Sequence, residues 1–357
     1  MDNIENGIIY LGFNNPLKYK RGVENVILFQ SEALKSGCDK IYIFFGDKNE
    51  EFYWNDIKCI SIKHNILRFF SLNILLKKLL SRRSYIIHSH NYLMTFFLMR
   101  KTDIFTVHDG LYYHANETKH KFKILFKWIE IKTYQKSKLI HFISKFTKNN
   151  SLYHGSNFQT IYNTTPLEKV AMDSQNKTLF SENKVKIFSV RSIEERAYID
   201  LLIDLADKNI NYDIKIAGKG PLLEMYNNVI SEKRIANIEL LGYVSDEMVK
   251  MYYDSTDVVI ILAKYGEGFG LPIIEGYLHN KPVFASNTCA IPEVIFNEDF
   301  LVENNLESIE NKLKKYFFET KNNELEYNFF EYYNNNFSYG KILNEYKKLY
   351  NKFGLWE

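Results

Sequence analysis

Residues 266–276 read GEGFGLPIIEG and directly follow an apolar run, DVVIILA at 257–263. Gly266, Gly268 and Gly270 suit a backbone that turns sharply or lets a ligand approach closely. Pro272 fits the first turn of a helix, where a missing N–H is harmless. The stretch therefore reads as strand, glycine turn, helix. The helix would aim its first amides, near Phe269, Gly270 and Leu271, past the end of the strand, where an anion or hydroxyl groups could sit. Glu267 lies on the turn and Glu275 about one helical turn further on. A carboxylate can accept two hydrogen bonds from a vicinal diol such as a ribose or a hexose offers. The plainer alternative is a helix start with an acidic surface.

Working outward, short apolar runs alternate with longer amphipathic ones. In the first half the expected strands are 7–13, 40–45, 85–90, 103–109, 138–144 and 160–163, with helices at 23–36, 66–80 and 119–136. A second series follows at 185–190, 212–218, 238–244, 257–263 and 282–286. That rhythm predicts βα units on parallel sheets. The fold class is thus α/β, with two Rossmann-like doubly wound domains facing a central cleft. The boundaries are 1–165, a polar linker at 166–184, a second domain at 185–335, and a closing helix at 336–357 expected to cross back to the first domain. Ligands bind at the carboxyl ends of the strands in such sheets, so the cleft is the expected site.

Composition is that of an ordinary globular chain, with 46% hydrophobic and 25% charged residues in 357. No run is long and apolar enough for a transmembrane helix, and the N-terminus shows no secretory leader. Three scattered cysteines suggest a reducing compartment rather than a disulfide framework or a zinc site. Net charge is +3 but unevenly placed: residues 1–165 hold 24 basic and 13 acidic side chains, the remainder 22 and 30. The basic half should face something anionic. Residues 66–83 and 119–148 interleave apolar residues with Lys and Arg, a pattern that suits either an anionic membrane surface or a solvated basic helix face. No nucleic-acid-binding module is recognised.

The stretch ELLGYVSDEMVKMYYDSTDVVIILAKYGEGFGLPIIEGYLHNKPVFASNTCAIPEV, 239–294, resembles the retaining glycosyltransferases of family 4, which have the GT-B fold. The E-G-F-G-L-P…E block and the closing P-E-V carry the likeness. One departure is Asn280-Lys281-Pro282, where the family has Gly-x-Pro. IAGKGPLLEMY (216–226) is similar to the family's G-x-G-P loop, with Gly218 as its first glycine. A dinucleotide-binding G-x-G-x-x-G is not completed there, because Leu223 stands at its last position. SVRSIEERAYIDLLIDLA (189–206) resembles the strand, loop and helix whose Arg and Lys clamp a donor diphosphate. Arg191 and Arg196 take those places, with Ala197 where the family has Gly. Surface pairs with Glu194 and Glu195 are the alternative for both arginines.

The first half resembles the family more loosely. Arg21-Gly22 stands where relatives show Gly-Gly before the first helix, and could approach the donor phosphate or the acceptor. His88 and His90 are two apart on one strand and so share a face. They could hold a metal, but lining the cleft is the expected role of His90. His108 closes a strand, where family members place a histidine near the sugar. Asn163 matches an x-P-N-G turn only in part, and Ser144 reads as a helix N-cap.

The resemblance implies an enzyme moving a sugar from a nucleoside diphosphate, with a UDP-sugar expected ahead of a GDP-sugar. The acceptor would be a glycan or lipid-linked hydroxyl in cell-surface polysaccharide assembly. Glu275 would hold the ribose, and Glu267 with the amides of Gly268, Phe269, Gly270 and Leu271 would hold the transferred sugar. Arg191 and Arg196 would stabilise the leaving diphosphate, and His108 would reach the sugar. No cofactor is expected. No metal is expected either, since no Asp-x-Asp ends a strand. The chain is expected in the cytoplasm, peripheral to the membrane if its basic half docks there. The rival classes are a nucleotide-cofactor oxidoreductase or epimerase on paired Rossmann-like domains, and a non-catalytic scaffold.

Overall fold

The computed structural model describes residues 7–18, 22–169, 179–320 and 327–355. They form two compact units. One comprises the chain up to Asn163 together with the residues from Gly340 onward, and the other is Thr164–Tyr339.

In the first unit β1 (Gly7–Leu11), β2 (Asp39–Gly46), β3 (Glu50–Trp54), β4 (Ile57–Lys63), β5 (Tyr85–Ser89), β6 (Thr102–Val107), β7 (Ser137–Phe142) and β8 (Phe158–Thr160) make one sheet. Its order is β3-β4-β2-β1-β5-β6-β7-β8. Every pairing is parallel except β3 with β4. That hairpin was not expected from the sequence. Its signal is the two-residue Asn55-Asp56 turn between Trp54 and Ile57, with Asn55 left-handed at φ 52°. Helices run at Gly22–Glu32 and Arg68–Leu80. The single helix expected at 119–136 begins only at Lys123. Lys119 at φ 50° separates it from a shorter helix, Leu111–Glu117. One core layer gathers Ile9, Leu11, Ile41, Ile43, Leu72, Leu76, Ile87 and Met94 between sheet and helices.

The C-terminal helix Tyr339–Asn351 supplies Tyr346, Leu349 and Tyr350, each at 0% exposure. Tyr350 bonds Tyr10 on β1 at 3.2 Å and His88 on β5 at 3.0 Å, so the end of the chain completes the interior of the first unit.

The second unit holds β9 (Val185–Val190), β10 (Tyr212–Ala217), β11 (Ile238–Gly242), β12 (Val258–Ile261), β13 (Val283–Ser286) and β14 (Leu301–Val302) in the order β11-β10-β9-β12-β13-β14, all parallel. The strands are apolar nearly end to end, as a parallel sheet covered on both faces requires: Ile187, Ile214, Val258 to Ile261 and Val283 are each 0% exposed. Pro166–Lys169, placed in the linker by the sequence, belongs to this unit. Its Glu168 accepts hydrogen bonds from the Tyr333 hydroxyl (2.6 Å) and the Tyr339 amide (2.9 Å). Residues 170–178 of the expected linker lie outside the described residues.

Candidate functional site

The strand order of the second unit reverses between β9 and β12, which pair directly. This is the topological switch point, and the loops leaving the carboxyl ends of those two strands mark the usual ligand position in a doubly wound sheet. Arg191 leaves β9 and Glu267 follows β12. The structure joins them: Arg191 Nη1 donates to Glu267 Oε2 at 2.5 Å, with the two side chains only 7% and 15% exposed. The Arg191 Nε is buried without a hydrogen-bond partner. The two residues that the sequence assigned to diphosphate and to sugar are thus one ion pair in this state.

Arg196 braces the same turn. Its Nη1 donates to the Gly266 carbonyl at 2.6 Å and its Nε to Glu194 at 2.8 Å. The surface pairing raised as an alternative therefore holds for Arg196 and Glu194. Glu195 pairs instead with Lys264. Gly218 follows β10, with φ +146°, and a Cβ there would lie 1.7 Å from the Arg191 carbonyl oxygen. Only glycine lets this loop run against the backbone of Arg191.

The turn of 266–270 leads into the helix Leu271–Leu278, with Gly270 at φ 99° as its N-cap. Phe269 turns its ring inward, 3% exposed, edge-on to Phe337 at 5.9 Å, which anchors Gly268 and Leu271 on either side. Asn280, which replaces the family's glycine, takes a left-handed φ of 54°. Asparagine tolerates that region better than most residues, so the departure leaves the helix end intact.

Glu275 points to a different set of partners from Glu267. Thr165 Oγ1 donates to its Oε1 at 2.9 Å and the Tyr253 hydroxyl to its Oε2 at 3.0 Å. Burial raises its pKa above the ordinary carboxylate value, and the two hydroxyl donors hold it down in part. Thr165 and Tyr253 escaped the sequence reading because they lie 110 and 22 positions from Glu275 and belong to no motif. These two bonds use two of the four acceptor sites on the carboxylate.

In the first unit the histidines form a buried ladder. His141 Nε2 faces the Ile161 carbonyl at 3.1 Å. A carbonyl only accepts, so that nitrogen carries the proton and Nδ1 of the neutral ring accepts from Thr106 Oγ1 at 2.9 Å. Thr106 must then accept from His88 Nε2 (2.7 Å), and His88 Nδ1 accepts from Tyr350 (3.0 Å). Each proton is used once and every ring is neutral. Burial holds the His88 pKa well below its usual value and lowers that of His141 to about 4. His108 follows β6. Its Nε2 lies 2.8 Å from His90 Nδ1, and burial lowers its pKa to about 3.

The cleft-lining role expected of His90 needs correction. At 1% exposure it stands behind the surface and packs on His108 at 5.1 Å. Its Nε2 is buried without a partner. Gly22 opens the helix Gly22–Glu32, and a Cβ there would meet nothing within 4 Å. Arg21 lies outside the described residues. Ser144 is an N-cap, with its Oγ accepting from the Thr147 amide at 3.0 Å. Among the described residues no group of three or more His, Cys, Asp or Glu is arranged to hold a metal ion, and no helix is long and apolar enough to cross a membrane.

Two mostly parallel, doubly wound sheets, the second carrying an Arg–Glu pair at its switch point, define the class as paired Rossmann-like α/β proteins of the GT-B type. Comparison with known proteins narrows this. A model described as glycosyltransferase family 4 matches residues 20–169, and one described as glycosyl transferases group 1 matches residues 172–331. The chain belongs to this glycosyltransferase family, and its fold is GT-B.

An uncharacterized glycosyltransferase of Methanocaldococcus jannaschii is 29% identical over 118 residues, 32% of this chain and 33% of that one. The O-antigen chain mannosyltransferase B of Escherichia coli is 37% identical over 68 residues, 19% and 18% of the two chains. The matched stretch thus spans a third or less of each of these relatives. Among solved structures, the sucrose-phosphate synthase of Thermosynechococcus elongatus aligns at TM-score 0.81 and 14% identity, covering 97% of this chain and 99% of that one. Anabaena HepE, in complex with UDP and glucose, aligns at 0.74 and 14%, with the same coverages.

Proposed function

We propose that the chain is an active, retaining glycosyltransferase. It moves a sugar from a nucleoside diphosphate sugar, a UDP-sugar before a GDP-sugar, to a hydroxyl of a glycan or lipid-linked acceptor in polysaccharide assembly. The observation that carries this reading is the Arg191–Glu267 pair at 2.5 Å beside the switch point, with Gly218 pressed against Arg191. Family membership, the O-antigen mannosyltransferase relative and the UDP complex of the HepE neighbour support it. Three unpaired cysteines, two of them buried, suit a cytoplasmic setting.

In this reading the glycosidic C1–O bond to the β-phosphate breaks as the acceptor oxygen bonds to C1 on the same face. The departing phosphate oxygen takes the acceptor proton. Arg191, with Arg196 beside it, meets the negative charge that grows on the leaving group, a form of stabilisation worth most where water is excluded. Glu267, released from Arg191 as the diphosphate arrives, accepts from sugar hydroxyls. Glu275 uses its two remaining acceptor sites on the ribose diol. His108, as a neutral ring, offers a hydrogen bond rather than a charge. No metal is assigned a role, and the arginines and the helix start at Gly270 balance the diphosphate.

The test is a thermal-shift screen with UDP, GDP, ADP and CMP, followed by turnover of the stabilising nucleotide's sugars with EDTA present. A nucleotide at a hundred times its Kd stabilises by about 2.7 kcal/mol. Stabilisation by UDP, lost in Glu275→Ala, is the expected result. No shift with any nucleotide would sink the reading. Enhanced NADH fluorescence would point to the oxidoreductase class, and donor binding without turnover on any sugar to a scaffold.

A further inference from the structure

The first unit carries apolar surface that its own core does not use. The helix Arg68–Leu80 buries Leu72 and Leu76 yet leaves Phe70 and Ile74 at 58% and 54% exposure. The helix Lys123–Gln135 buries Ile129 and Tyr134 yet leaves Ile124 at 78% and Trp128 at 50%. Between them the segment after β5 adds Phe97 and Met99, at 46% and 81%. Ring contacts make these one strip. Phe69 stacks on Phe97 at 4.2 Å, Phe97 meets Phe96 at 4.9 Å, and Phe96 meets Trp128 at 4.8 Å. Asn73 fixes the junction by bonding the Phe97 carbonyl at 3.1 Å and the Met99 amide at 2.8 Å.

The segments that carry this strip are strongly basic. Between Asp56 and Asp103 the sequence has nine Lys or Arg and no acid. Between Glu117 and Glu168 the only acid is Glu130. It is 0% exposed and accepts bonds from the Tyr112 amide, the Leu152 amide and the Tyr134 hydroxyl, all within the unit. The outer side of the helix Lys123–Gln135 shows Lys123 and Lys127 beside Ile124 and Trp128, and the only acid of that helix, Glu130, is turned inward. Arg68 lies over the Phe69 ring at 4.7 Å, at the other end of the strip.

We propose that this face docks the chain on an anionic lipid bilayer. The apolar strip would enter the interface, and the lysine and arginine rim would meet the headgroup phosphates. A second copy of the chain would bring two positive rims together, and a nucleic acid would leave the apolar centre uncovered. Exposed tryptophan and phenylalanine flanked by lysines match the polarity gradient of a membrane surface. The inference does not depend on the donor site and stands or falls separately from the catalytic reading.

The test is flotation of the full chain with vesicles of phosphatidylcholine alone, or with about a third phosphatidylglycerol, at low and high salt. The expected result is binding to the anionic vesicles only, weakened by salt, with a blue shift of Trp128 emission. Each cation near such a surface is worth roughly fivefold in partitioning, so replacing Lys121, Lys123 and Lys127 by Ser should lower it about a hundredfold. Ile124→Ser with Met99→Ser should abolish binding while the melting curve stays close to that of the wild type, because these side chains are 78% and 81% exposed. Equal recovery with neutral vesicles, no flotation, unchanged binding by either variant, or a dimer on gel filtration that these substitutions dissolve would each overturn the proposal.

Discussion

Lowering the pH below neutrality should loosen the first unit through its buried histidines. His141 is 0% exposed, and its pKa falls to about 4 in the fold because burial disfavours the charged ring. The unfolded chain takes up the same proton near the ordinary value of about 6.5. With a lowered folded pKa on a base, the unfolded state binds more protons below about 6.5. Stability therefore falls as pH drops through that value and levels off only near the folded pKa. Between pH 6.5 and 4.5 this amounts to about 2 kcal/mol for His141, and His108, lowered to about 3 by burial and by the His141 charge, acts in the same direction. Even about 2 kcal/mol is a sizeable part of the stability of an ordinary domain. The hydrogen-bond chain gives the reason: a second proton on His141 or His88 would set an N–H against a hydroxyl already committed as donor or a proton already in place. The assay is an imidazole NMR titration, paired with hydrogen exchange of β5, β6 and β7 amides across the same pH range. His141→Gln should flatten the pH dependence by about 2 kcal/mol whatever it does to absolute stability. A His141 resonance titrating near pH 6, or a variant with the wild-type slope, would refute the reasoning.

Arg191→Ala should lower kcat by roughly a hundred- to a thousandfold with donor affinity less affected, measured by sugar release; a change under threefold removes its transition-state role. Glu275→Gln should lose nucleotide binding yet gain stability. The raised folded pKa of this acid is a penalty that appears as pH rises through the unfolded value, so the gain should be absent at acid pH and present at neutral pH. A melting temperature below wild type at pH 7.5 would contradict this. Gly218→Ala forces a Cβ into the Arg191 carbonyl and should cost more than about 3 kcal/mol, whereas Gly242→Ala, left-handed at φ 65° but in open space, should cost about 1–2. Equal losses in denaturant melts would show that the contact with Arg191 yields freely.

The second unit was the more legible because its strands are buried on both faces and its loops carry short-range glycine and proline signals. DVVIILA followed by three glycines and Pro272 states its own geometry. The hairpin of β3 and β4 was readable from Asn55-Asp56 but is short and half exposed, so its apolar pattern is weak. Residues that gain meaning only through distance in sequence could not be read. Thr165 and Tyr253 meet on Glu275, and Tyr350 meets His88 across 262 positions. No local periodicity marks such partners. His90 illustrates the same limit from the other side: its place beside β5 was evident, but its burial is decided by what packs over it.

Tyr346 and Tyr350 impose an order of assembly on the ribosome. The second unit is a continuous stretch and can close as soon as Tyr339 emerges. The first unit must wait with Tyr10 and His88 lacking their tyrosine partner until residues beyond Gly340 have been made. At common synthesis rates that is a delay of roughly ten to thirty-five seconds. During it the sheet of the first unit is held without its last wall. Chaperone dependence should therefore concentrate on the first unit, most of which is made before the second.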